Sequence, residues 1–409
     1  MSVPVIQHEV HQELSCRWLP RSSESPRRSA RIELLEEQLQ RLLERAKIAV
    51  IHGGDKTVSG AVINPTQNTR AWKSYREVGL DIVQALESLG ARHVSIIPED
   101  MRLAQRLRDD GIDIAWLNSG GVQGLNPMAH ASGLLEMLGI PYLGHDPLTA
   151  GMLDNKHAFK RELVALGLPT AAFMTWHLGR GPLRPASNRR FAESFRNYRG
   201  PFIVKPVCGR ASLNVCYVEH VDDLSRVVTE VYEATNNHVL IEKYLPGREF
   251  CVAVCGPVTA RERRLMQWGH PFVFSMIERV FEPGERIFTS MDSKPITGQR
   301  AHSLDPDRDG KVLGALHDIA QRVFLELHLE TLIRLDLRMD AAGRLFVLEA
   351  NPKPDLKRPS ADKTSLVCIG LSGCGMDYED LILSLLADRV DLLFCERRGT
   401  VTNLSRLLD

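Results

Sequence analysis

Two neighbouring stretches, RLDLRMD (residues 334–340) and RLFVLEANP (residues 344–352), decide the fold of this chain. A short turn separates them, so together they predict a β-hairpin. Side chains alternate faces along a strand, and we therefore expect the hairpin to bring Asp336 close to Glu349 and Asn351. The hairpin would then carry two carboxylates and an amide oxygen on otherwise apolar strands.

This set of oxygen atoms predicts a cation site. Carboxylates on apolar strands are costly to bury without a compensating charge. Carboxylate and amide oxygens suit hard Mg²⁺ ions, which also bridge phosphates. The alternative is that Asp336 forms an ion pair with Arg334 or Arg338. The hairpin alone leaves both interpretations open.

A pair of lysines gives a second signal. Lys156 in LDNKHAF and Lys205 in FIVKP are both expected on strands, where a lysine among apolar residues needs an anion. The loop after Lys205 contains Gly209, Ala211 and Ser212, which are small enough to let backbone N–H groups approach a phosphate. This loop lacks the glycine and lysine spacing of a P-loop.

The stretch EKYLPGRE (residues 242–249) gives a third signal. Glu242 lies at the end of a predicted strand and is expected to place main-chain groups against the edge of an adenine. Glu249 is expected to hold ribose hydroxyls. The alternative is that both glutamates belong to solvent-facing ion pairs.

Strands and helices alternate in the first part of the chain. Strands are predicted at residues 47–54, 94–98 and 113–121, with helices near 75–89 and 103–109. This order favours a parallel, doubly wound sheet. Glycines follow the first and third strands at their carboxyl ends, where such sheets bind ligands. The sequence therefore predicts an α/β protein.

Composition limits the expected partners and location. The 409 residues contain 51 Lys and Arg and 51 Asp and Glu, so a formal charge of zero gives no reason to expect nucleic acid or an acidic membrane as partner. None of the eight cysteines lies in a C-x-x-C pair, which favours buried free thiols over a zinc site and a reducing, cytoplasmic location. No apolar run is long enough to cross a membrane.

The order of these motifs resembles that of the ATP-grasp superfamily. The stretches ASGLLEMLGIPYLGHDPLTAGMLDNKHAFKREL and VLIEKYLPGREF are similar to D-alanine–D-alanine ligases in particular. The resemblance covers roughly residues 47–390 and is weaker in the first domain and in residues 257–310. It implies an ATP-grasp fold, in which an N-terminal doubly wound parallel-sheet domain precedes two α+β domains that clasp ATP.

The chain is expected to divide into four parts. They are an N-terminal extension, a Rossmann-like domain, a central ATP-grasp subdomain and a C-terminal domain with the metal site (residues 1–46, 47–148, 149–238 and 239–409). The extension is polar over residues 1–30 and is expected to be poorly ordered there. Its amphipathic helix, residues 32–46, is expected to dock on the body or on a second subunit, and we expect a homodimer.

The resemblance implies an ATP site. Its residues would contact the phosphates, the adenine and the ribose, and they are Lys156, Lys205, Ser212, Glu242, Lys243, Leu245 and Glu249. Two Mg²⁺ ions, with Mn²⁺ as an alternative, are implied on Asp336, Glu349 and Asn351. Catalytic roles fall on Arg334, which would stabilise the transferring phosphoryl group, and on Lys294, in a lid near residues 275–300.

The implied activity is an ATP-dependent ligation that joins a carboxylate to an amine through an acyl phosphate, with small molecules as both substrates. One alternative is another ATP-grasp reaction, such as carboxylation or ligation to a carrier protein or a non-amine nucleophile. A second alternative is a nucleotide-binding module without catalysis. An oxidoreductase that uses a dinucleotide is disfavoured, because no GxGxxG follows the first strand.

Several positions depart from the pattern of the D-alanine ligases. The turn GGDKTVSG after the first strand lacks the Glu that holds the first substrate's amino group in that family, and the lid segment IFTSMDSKPITG lacks its tyrosines. Ala211 stands where a serine is expected, and PKPDLKRPS follows Asn351 in place of a small turn that contains glycine. We therefore expect substrates other than two D-alanines. Additional positive charge beside the hairpin comes from Arg338, Lys353 and Lys357. If these residues line the pocket, they suit a larger or more anionic substrate than alanine. The alternative is that they are solvated surface charges.

Overall fold

The computed structural model describes residues 26–55, 57–62, 74–124, 126–209, 212–287, 299–360, 364–396 and 402–408. Within these ranges the strands form a parallel sheet, two mainly antiparallel sheets and a two-stranded ribbon. The two larger antiparallel sheets face each other across the cleft described below.

The first sheet is parallel and has the strand order β2-β1-β3-β4. Its strands are β1 (Lys47–His52), β2 (His93–Pro98), β3 (Ile114–Asn118) and β4 (Tyr142–Leu143). Ile48 and Val50 of β1 pack into one hydrophobic core, whereas Ala49 and Ile51 pack into another. Both faces of the sheet are therefore covered, which explains why the strands are almost continuously apolar and confirms the predicted doubly wound sheet.

Helices connect these strands and continue into the central part of the chain. They are α2 (Arg76–Ser88), α3 (Leu103–Asp109), α4 (His130–Leu138), α5 (Pro147–Asp154) and α6 (Lys156–Ala165), after a first helix α1 (Ala30–Arg45). The predicted helix at residues 75–89 and the one at 103–109 are confirmed.

The central sheet is antiparallel, with the order β5-β8-β6-β7. Its strands are β5 (Phe173–Trp176), β6 (Phe202–Pro206), β7 (Cys216–Val218) and β8 (Val239–Lys243). Helices α7 (Arg189–Phe195) and α8 (Leu224–Thr235) cover one face with a core that contains Phe191, Phe202 and Val228. Strand β8 follows the boundary expected after residue 238, and it pairs with β5 and β6 of this sheet.

The third sheet carries the hairpin and has the order β13-β12-β9-β14-β15. Its strands are β9 (Glu249–Cys255), β12 (Phe272–Arg279), β13 (Ala301–Ser303), β14 (Ile333–Met339) and β15 (Leu345–Asn351). Helix α9 (Pro306–Glu326) packs against it through Leu316, Ala320 and Val323. This helix begins at Pro306, because Asp305 caps its first turn and proline is suited to the first helical position.

A ribbon of β10 (Val258–Arg261) and β11 (Arg264–Gln267) was not predicted. It packs on the long helix α10 (Tyr378–Glu396), where the hydroxyl of Ser384 accepts a hydrogen bond of 2.7 Å from the backbone N–H of Ala260. Its turn residues Glu262 and Arg263 both have positive φ angles. The hairpin could not be predicted from the sequence, because asparagine or glycine usually marks such a turn and charged residues occupy it here.

Helix α1 docks on the body of the same chain. Leu35, Leu39 and Leu42 are buried in the core that also contains α2 and α10. Arg31 is buried too, and forms an ion pair with Asp391 of α10. A short helix, α11 (Thr402–Leu408), packs beside α1. The amphipathic pattern therefore predicted the helix correctly. Of the two docking partners expected for it, the body of the chain and a second subunit, the structure shows the body.

One local prediction is wrong. Lys156 is the first residue of α6 and does not lie on a strand, because the Asn155 side chain caps the helix by accepting from the N–H groups of His157 and Ala158. Of the lid expected near residues 275–300, residues 275–279 belong to β12, and residues 288–298 lie outside the described residues.

No helix in the described ranges is long and apolar enough to cross a membrane. The cysteines in the same ranges are all free thiols, and they are Cys208, Cys216, Cys251, Cys255, Cys368, Cys374 and Cys395.

Candidate functional site

A cleft of about 810 Å³ lies between the central sheet and the third sheet. It brings together nine of the residues singled out from the sequence, and they are Lys156, Lys205, Ser212, Glu242, Lys243, Leu245, Glu249, Asp336 and Glu349. Arg334 and Asn351 lie on the hairpin that forms one wall. Lys294 lies outside the described residues, as does Ala211.

The hairpin register brings the predicted oxygen set together. Asp336 lies directly opposite Glu349, and Arg334 lies opposite Asn351. A β-bulge follows at once, since Leu337 pairs with Val347 and skips a residue. The expectation that the hairpin places these side chains side by side is therefore confirmed.

Asp336 is held by two guanidinium groups. Arg334 Nε donates to Asp336 Oδ1 at 2.8 Å, and Arg279 donates to Oδ2 at 3.2 Å. Burial alone would raise the pKa of Asp336, but these two arginines outweigh it and lower the pKa to about 2. The ion pair with Arg334 that the sequence left open is thus present. The one with Arg338 is not, because Arg338 turns to Glu249.

Glu349 faces the cleft, with 32% of its side chain exposed, and pairs with Lys156 at 3.2 Å between Nζ and Oε2. Lys156 Nζ also donates to the carbonyl of Gly209 at 3.3 Å. Partial burial favours the neutral acid, yet the ammonium of Lys156 lowers the pKa of Glu349. Both hairpin carboxylates are therefore ionised at neutral pH, as ligands for a cation must be.

Glu242 lies between two lysines and is 2% exposed. Lys205 Nζ lies 2.5 Å from Oε1, and Lys160 Nζ lies 2.9 Å from Oε2. Burial would raise the pKa of Glu242, but the two ammonium groups lower it to about 2. For Lys205, burial acts to lower the pKa, and the carboxylates of Glu242 and Glu349 outweigh it and raise the pKa.

Glu249 is 4% exposed and lies between two more arginines. Arg279 pairs with Oε1, and Arg338 donates to Oε2 at 3.2 Å. Arg338 also donates to the hydroxyl of Tyr244 at 2.9 Å. The idea that Glu242 and Glu249 form solvent-facing ion pairs is therefore wrong, since both are buried in the cleft wall.

The oxygen set on the hairpin fits a hard divalent cation in its chemistry. It offers two ionised carboxylates and the Asn351 amide, all oxygen donors of the kind Mg²⁺ and Mn²⁺ prefer. The described residues contain no cluster of three or more His, Cys, Asp or Glu side chains at metal-binding distance. Further ligands would have to come from phosphate oxygens or water, which is how Mg²⁺ is commonly held.

Two residues of the site were missed in the sequence. Lys160 is fully buried and sits one helical turn after Lys156, so the spacing of four on α6 was a usable signal. Arg279 contacts both Asp336 and Glu249 from the end of β12. Nothing in its sequence neighbourhood marks it, because the pairing of β12 with β9 is a property of the sheet.

Two smaller cavities lie at the carboxyl edge of the parallel sheet, and Lys353 lines both. The Lys353 ammonium donates to Asn118 Oδ1 at 3.3 Å and lies 3.1 Å from the centre of the Tyr75 ring. Lys357 pairs with Asp81 at 2.7 Å. Of the three extra cations expected beside the hairpin, Arg338 thus lines the cleft and Lys353 lines the two smaller cavities, so neither is merely a solvated surface charge.

Comparison with known proteins places this architecture in context. A family profile described as the D-ala D-ala ligase C-terminus matches residues 163–387. The D-alanine–D-alanine ligase of Gloeobacter violaceus is 28% identical over 313 residues, which cover 76% of this chain and 93% of the relative. The residues matched by the profile include the β14–β15 hairpin and the cleft-lining residues Lys205 and Glu249, but not Lys156.

Solved structures are similar as well. The D-alanine–D-alanine ligase of Bacillus anthracis complexed with ATP superposes with a TM-score of 0.59 at 19% identity, covering 85% of this chain and 99% of that one. The VanG D-Ala:D-Ser ligase of Enterococcus faecalis gives a TM-score of 0.58 at 17% identity, with 84% and 99% covered. The predicted ATP-grasp fold is confirmed.

Proposed function

The chain belongs to the D-alanine–D-alanine ligase family, whose profile spans more than half of it, and we propose that it joins a carboxylate to an amine at the cost of ATP in the cleft between the two antiparallel sheets. The predicted resemblance and the predicted class, an ATP-dependent ligase that forms a C–N bond, are confirmed at the level of this family. The substrates and the roles of single residues go beyond family membership and are proposed here.

The observation that carries the proposal is the convergence in one cleft of lysines and carboxylates from different parts of the chain. Lys156 and Lys205 approach from the central part of the chain, and Asp336 and Glu349 from the hairpin. Cations and metal-binding carboxylates on opposite walls suit a polyphosphate, which needs both. ATP is therefore the proposed nucleotide, as in the Bacillus anthracis ligase complexed with it.

Each part of ATP has a proposed partner. The ammonium groups of Lys156 and Lys205 and the backbone near Ser212 would contact the phosphates. The main chain around Glu242, with Lys243 and Leu245, would border the adenine, and Glu249 would accept from the ribose hydroxyls. Glu242 has a second task, because its side chain points to Lys160 and Lys205 and away from any solvent-exposed edge.

Asp336, Glu349 and Asn351 are the proposed ligands of two divalent cations, Mg²⁺ or Mn²⁺. When bound, such ions would act as Lewis acids and would neutralise negative charge on the phosphates of the nucleotide. The arginines that now hold Asp336 would remain close by. Arg334, which donates to Asp336 at 2.8 Å, is proposed to stabilise negative charge on the transferring phosphoryl group, and Lys294 stays a proposed lid residue.

The reaction has two steps. In the first, an oxygen of the substrate carboxylate bonds to the γ-phosphorus of ATP while the bond to the β–γ bridging oxygen breaks, which gives ADP and an acyl phosphate. In the second, the amine nitrogen bonds to the acyl carbon, phosphate leaves with its electron pair, and the nitrogen loses a proton. The chain contributes position and charge, and forms no covalent bond with either substrate.

The substrates proposed are small molecules other than two D-alanines. The turn after β1 carries no glutamate to hold an ammonium group, and Lys353 and Arg338 add positive charge close to the hairpin. A buried charge without a partner is expensive, so these departures change which substrate is bound. The VanG D-Ala:D-Ser ligase shows that one structural neighbour already acts on a different pair.

A co-substrate screen tests the proposal. Purified protein with saturating Mg²⁺ and ATP is incubated with pairs of carboxylates and amines, and both ADP release and product mass are recorded. We expect ADP release that requires the carboxylate and a product whose mass equals both substrates minus water. Tight ATP binding without ADP release for any pair would instead support a nucleotide-binding module, and a product without the amine would support another ATP-grasp reaction. The homodimer and the division into four parts stay predictions.

A further inference from the structure

We propose that Lys160 is a positioning residue that leaves the positive charge of Lys205 available to a phosphate, and that ties this charge to the metal-binding hairpin. The proposal rests on the nucleotide site described under the proposed function and adds a residue to it. Lys160 lies on α6, has no exposed surface and does not line the cleft. It therefore cannot contact a ligand itself.

Counting charges shows what Lys160 does for Lys205. The carboxylate of Glu242 lies within 3 Å of both ammonium groups, at 2.5 Å from Lys205 and 2.9 Å from Lys160. Glu242 and Lys205 alone would form a neutral pair with no net attraction for an anion. Burial lowers the pKa of Lys160, and the carboxylate of Glu242 at 2.9 Å acts in the opposite direction. While the Lys160 side chain is an ammonium group, the three groups carry one positive charge in excess. Because Lys205 lines the cleft and Lys160 does not, the excess charge faces the cleft.

Lys160 also links the central part of the chain to the hairpin. Its Nζ donates to Thr170 Oγ1 at 2.7 Å, and Thr170 Oγ1 donates to the carbonyl of Val347 at 2.9 Å. The N–H of Val347 donates to the carbonyl of Pro169 at 2.8 Å. Val347 lies on β15, two residues before Glu349. The route from Lys205 to this strand thus consists of one carboxylate, one ammonium group and one hydroxyl.

These hydrogen bonds and ion pairs fix the position of Lys205 relative to Glu349, the two sides of the proposed phosphate site. Lys205 belongs to the central sheet, and Glu349 to the third sheet. A shift of β15 relative to α6 would break the hydrogen bonds of Thr170 before it changed the ion pair of Glu242. Removing the Thr170 hydroxyl should therefore disturb the alignment of the two sheets and leave the ion pairs of Glu242 with Lys160 and Lys205 unchanged.

The first test uses calorimetry with Mg·ATP and with AMP, which lacks the β- and γ-phosphates. Lys160→Met is expected to weaken Mg·ATP binding about tenfold and to change AMP binding by about twofold or less. Lys311→Met, on the exposed surface of α9, is the matched control and should change neither. A variant that melts at a lower temperature but keeps the wild-type ratio of ATP to AMP affinity would show a purely structural role and overturn the proposal.

The second test uses Thr170, where the change is nearly isosteric and folding is less at risk. Thr170→Val should weaken Mg·ATP binding but not AMP binding, and Thr170→Ser, which keeps the hydroxyl, should restore the wild-type value. Thr229→Val removes a threonine hydroxyl that bonds only within α8 and serves as control. Equal Mg·ATP affinity for Thr170→Val and wild type would refute the link to the hairpin. A wild-type protein that binds no Mg·ATP would overturn the proposed function as well, so the two failures are distinguishable.

Discussion

Asp336 and Glu349 face each other as directly paired residues of the β14–β15 hairpin, and both carboxylates are ionised at neutral pH. Each is balanced by cations of the chain itself, Asp336 by Arg279 and Arg334, and Glu349 by Lys156. The cationic partners of these two negative groups come from β12, from β14 itself and from α6, so the chain compensates both charges with its own residues.

Replacing Glu349 by Gln should abolish turnover while the protein stays folded. The change removes one of the two carboxylates proposed to hold the cations and leaves the shape of the side chain almost unchanged. Turnover is measured as ADP release with the substrate pair found in the screen, and folding by thermal unfolding. Glu233→Gln, on the exposed face of α8, is the matched control. Activity of Glu349→Gln within about tenfold of wild type, near 1.4 kcal/mol in activation free energy, would contradict the two-metal assignment.

Replacing Lys205 by Ala should raise the dissociation constant for ATP. The ammonium group of Lys205 is proposed to contact the phosphates, and its loss leaves Glu242 paired with Lys160 alone. We expect an increase of about tenfold or more, measured by calorimetry. Lys311→Ala, an exposed position on α9, should bind ATP like wild type. Unchanged affinity for Lys205→Ala would show that the phosphates bind elsewhere.

Stability should fall in acid because of Glu242. Its pKa is lowered from an ordinary value of 4.5 to about 2 by Lys160 and Lys205 against the effect of burial. A carboxylate with a lowered pKa stabilises the fold above its unfolded pKa, and this contribution is lost as the pH falls towards the folded value. The free energy of unfolding, measured in urea between pH 6 and 3, should therefore decrease by a few kcal/mol, at about 1.4 kcal/mol per unit of pKa shift. Glu242→Gln should be less stable at pH 6 but lose less on acidification. Parallel curves for the two proteins would argue against this origin.

The purified protein should form little or no D-alanyl-D-alanine. A site without the ammonium-binding glutamate of the first turn has lost a charged partner for a small zwitterion, and such losses reduce affinity strongly. The assay is ADP release with mass detection of the dipeptide, run with Mg²⁺ and ATP saturating. Robust synthesis of D-alanyl-D-alanine would show that other residues supply the missing contacts.

Helix α1 should contribute to the stability of the whole body. Leu42 has no exposed surface, whereas Leu34 on the same helix is 39% exposed. Leu42→Ala should therefore cost about 2–5 kcal/mol, while Leu34→Ala should cost about 0.5 kcal/mol or less. Chemical denaturation measures both. Equal losses for the two variants would mean that α1 is not packed as described.

Most of the candidate site could be predicted from the sequence, because the site residues lie close together along the chain or belong to regular patterns. Asp336 and Glu349 follow from alternation and a short turn, and the helix α1 from its leucines. The parallel sheet follows from the order of its elements. In each case a local rule of backbone geometry determines which side chains meet.

What the sequence did not predict depends on contacts between distant elements. Arg279 meets Asp336 only because β12 pairs with β9 and β9 pairs with β14. The side-chain cap at Asn155 starts a helix at Lys156, where the apolar neighbours favoured a strand. Arg338 and Asp336 lie on the same face of β14, which favoured an ion pair between them. The structure instead turns Arg338 to Glu249, where the aromatic rings of Tyr244 and Phe281 also receive it.

The junction between Thr170 and Val347 has a mechanical consequence. It anchors the central sheet to β15 at one point, and the segment from Tyr244 to Arg248, which joins β8 to β9, anchors it at a second, where the N–H of Gly247 donates to the carbonyl of Met339. Both contacts end on the hairpin, one at Met339 of β14 and the other at Val347 of β15. The central sheet is therefore tied at two separate points to the strands that carry Asp336 and Glu349, so that a displacement of this sheet would act directly on those two strands.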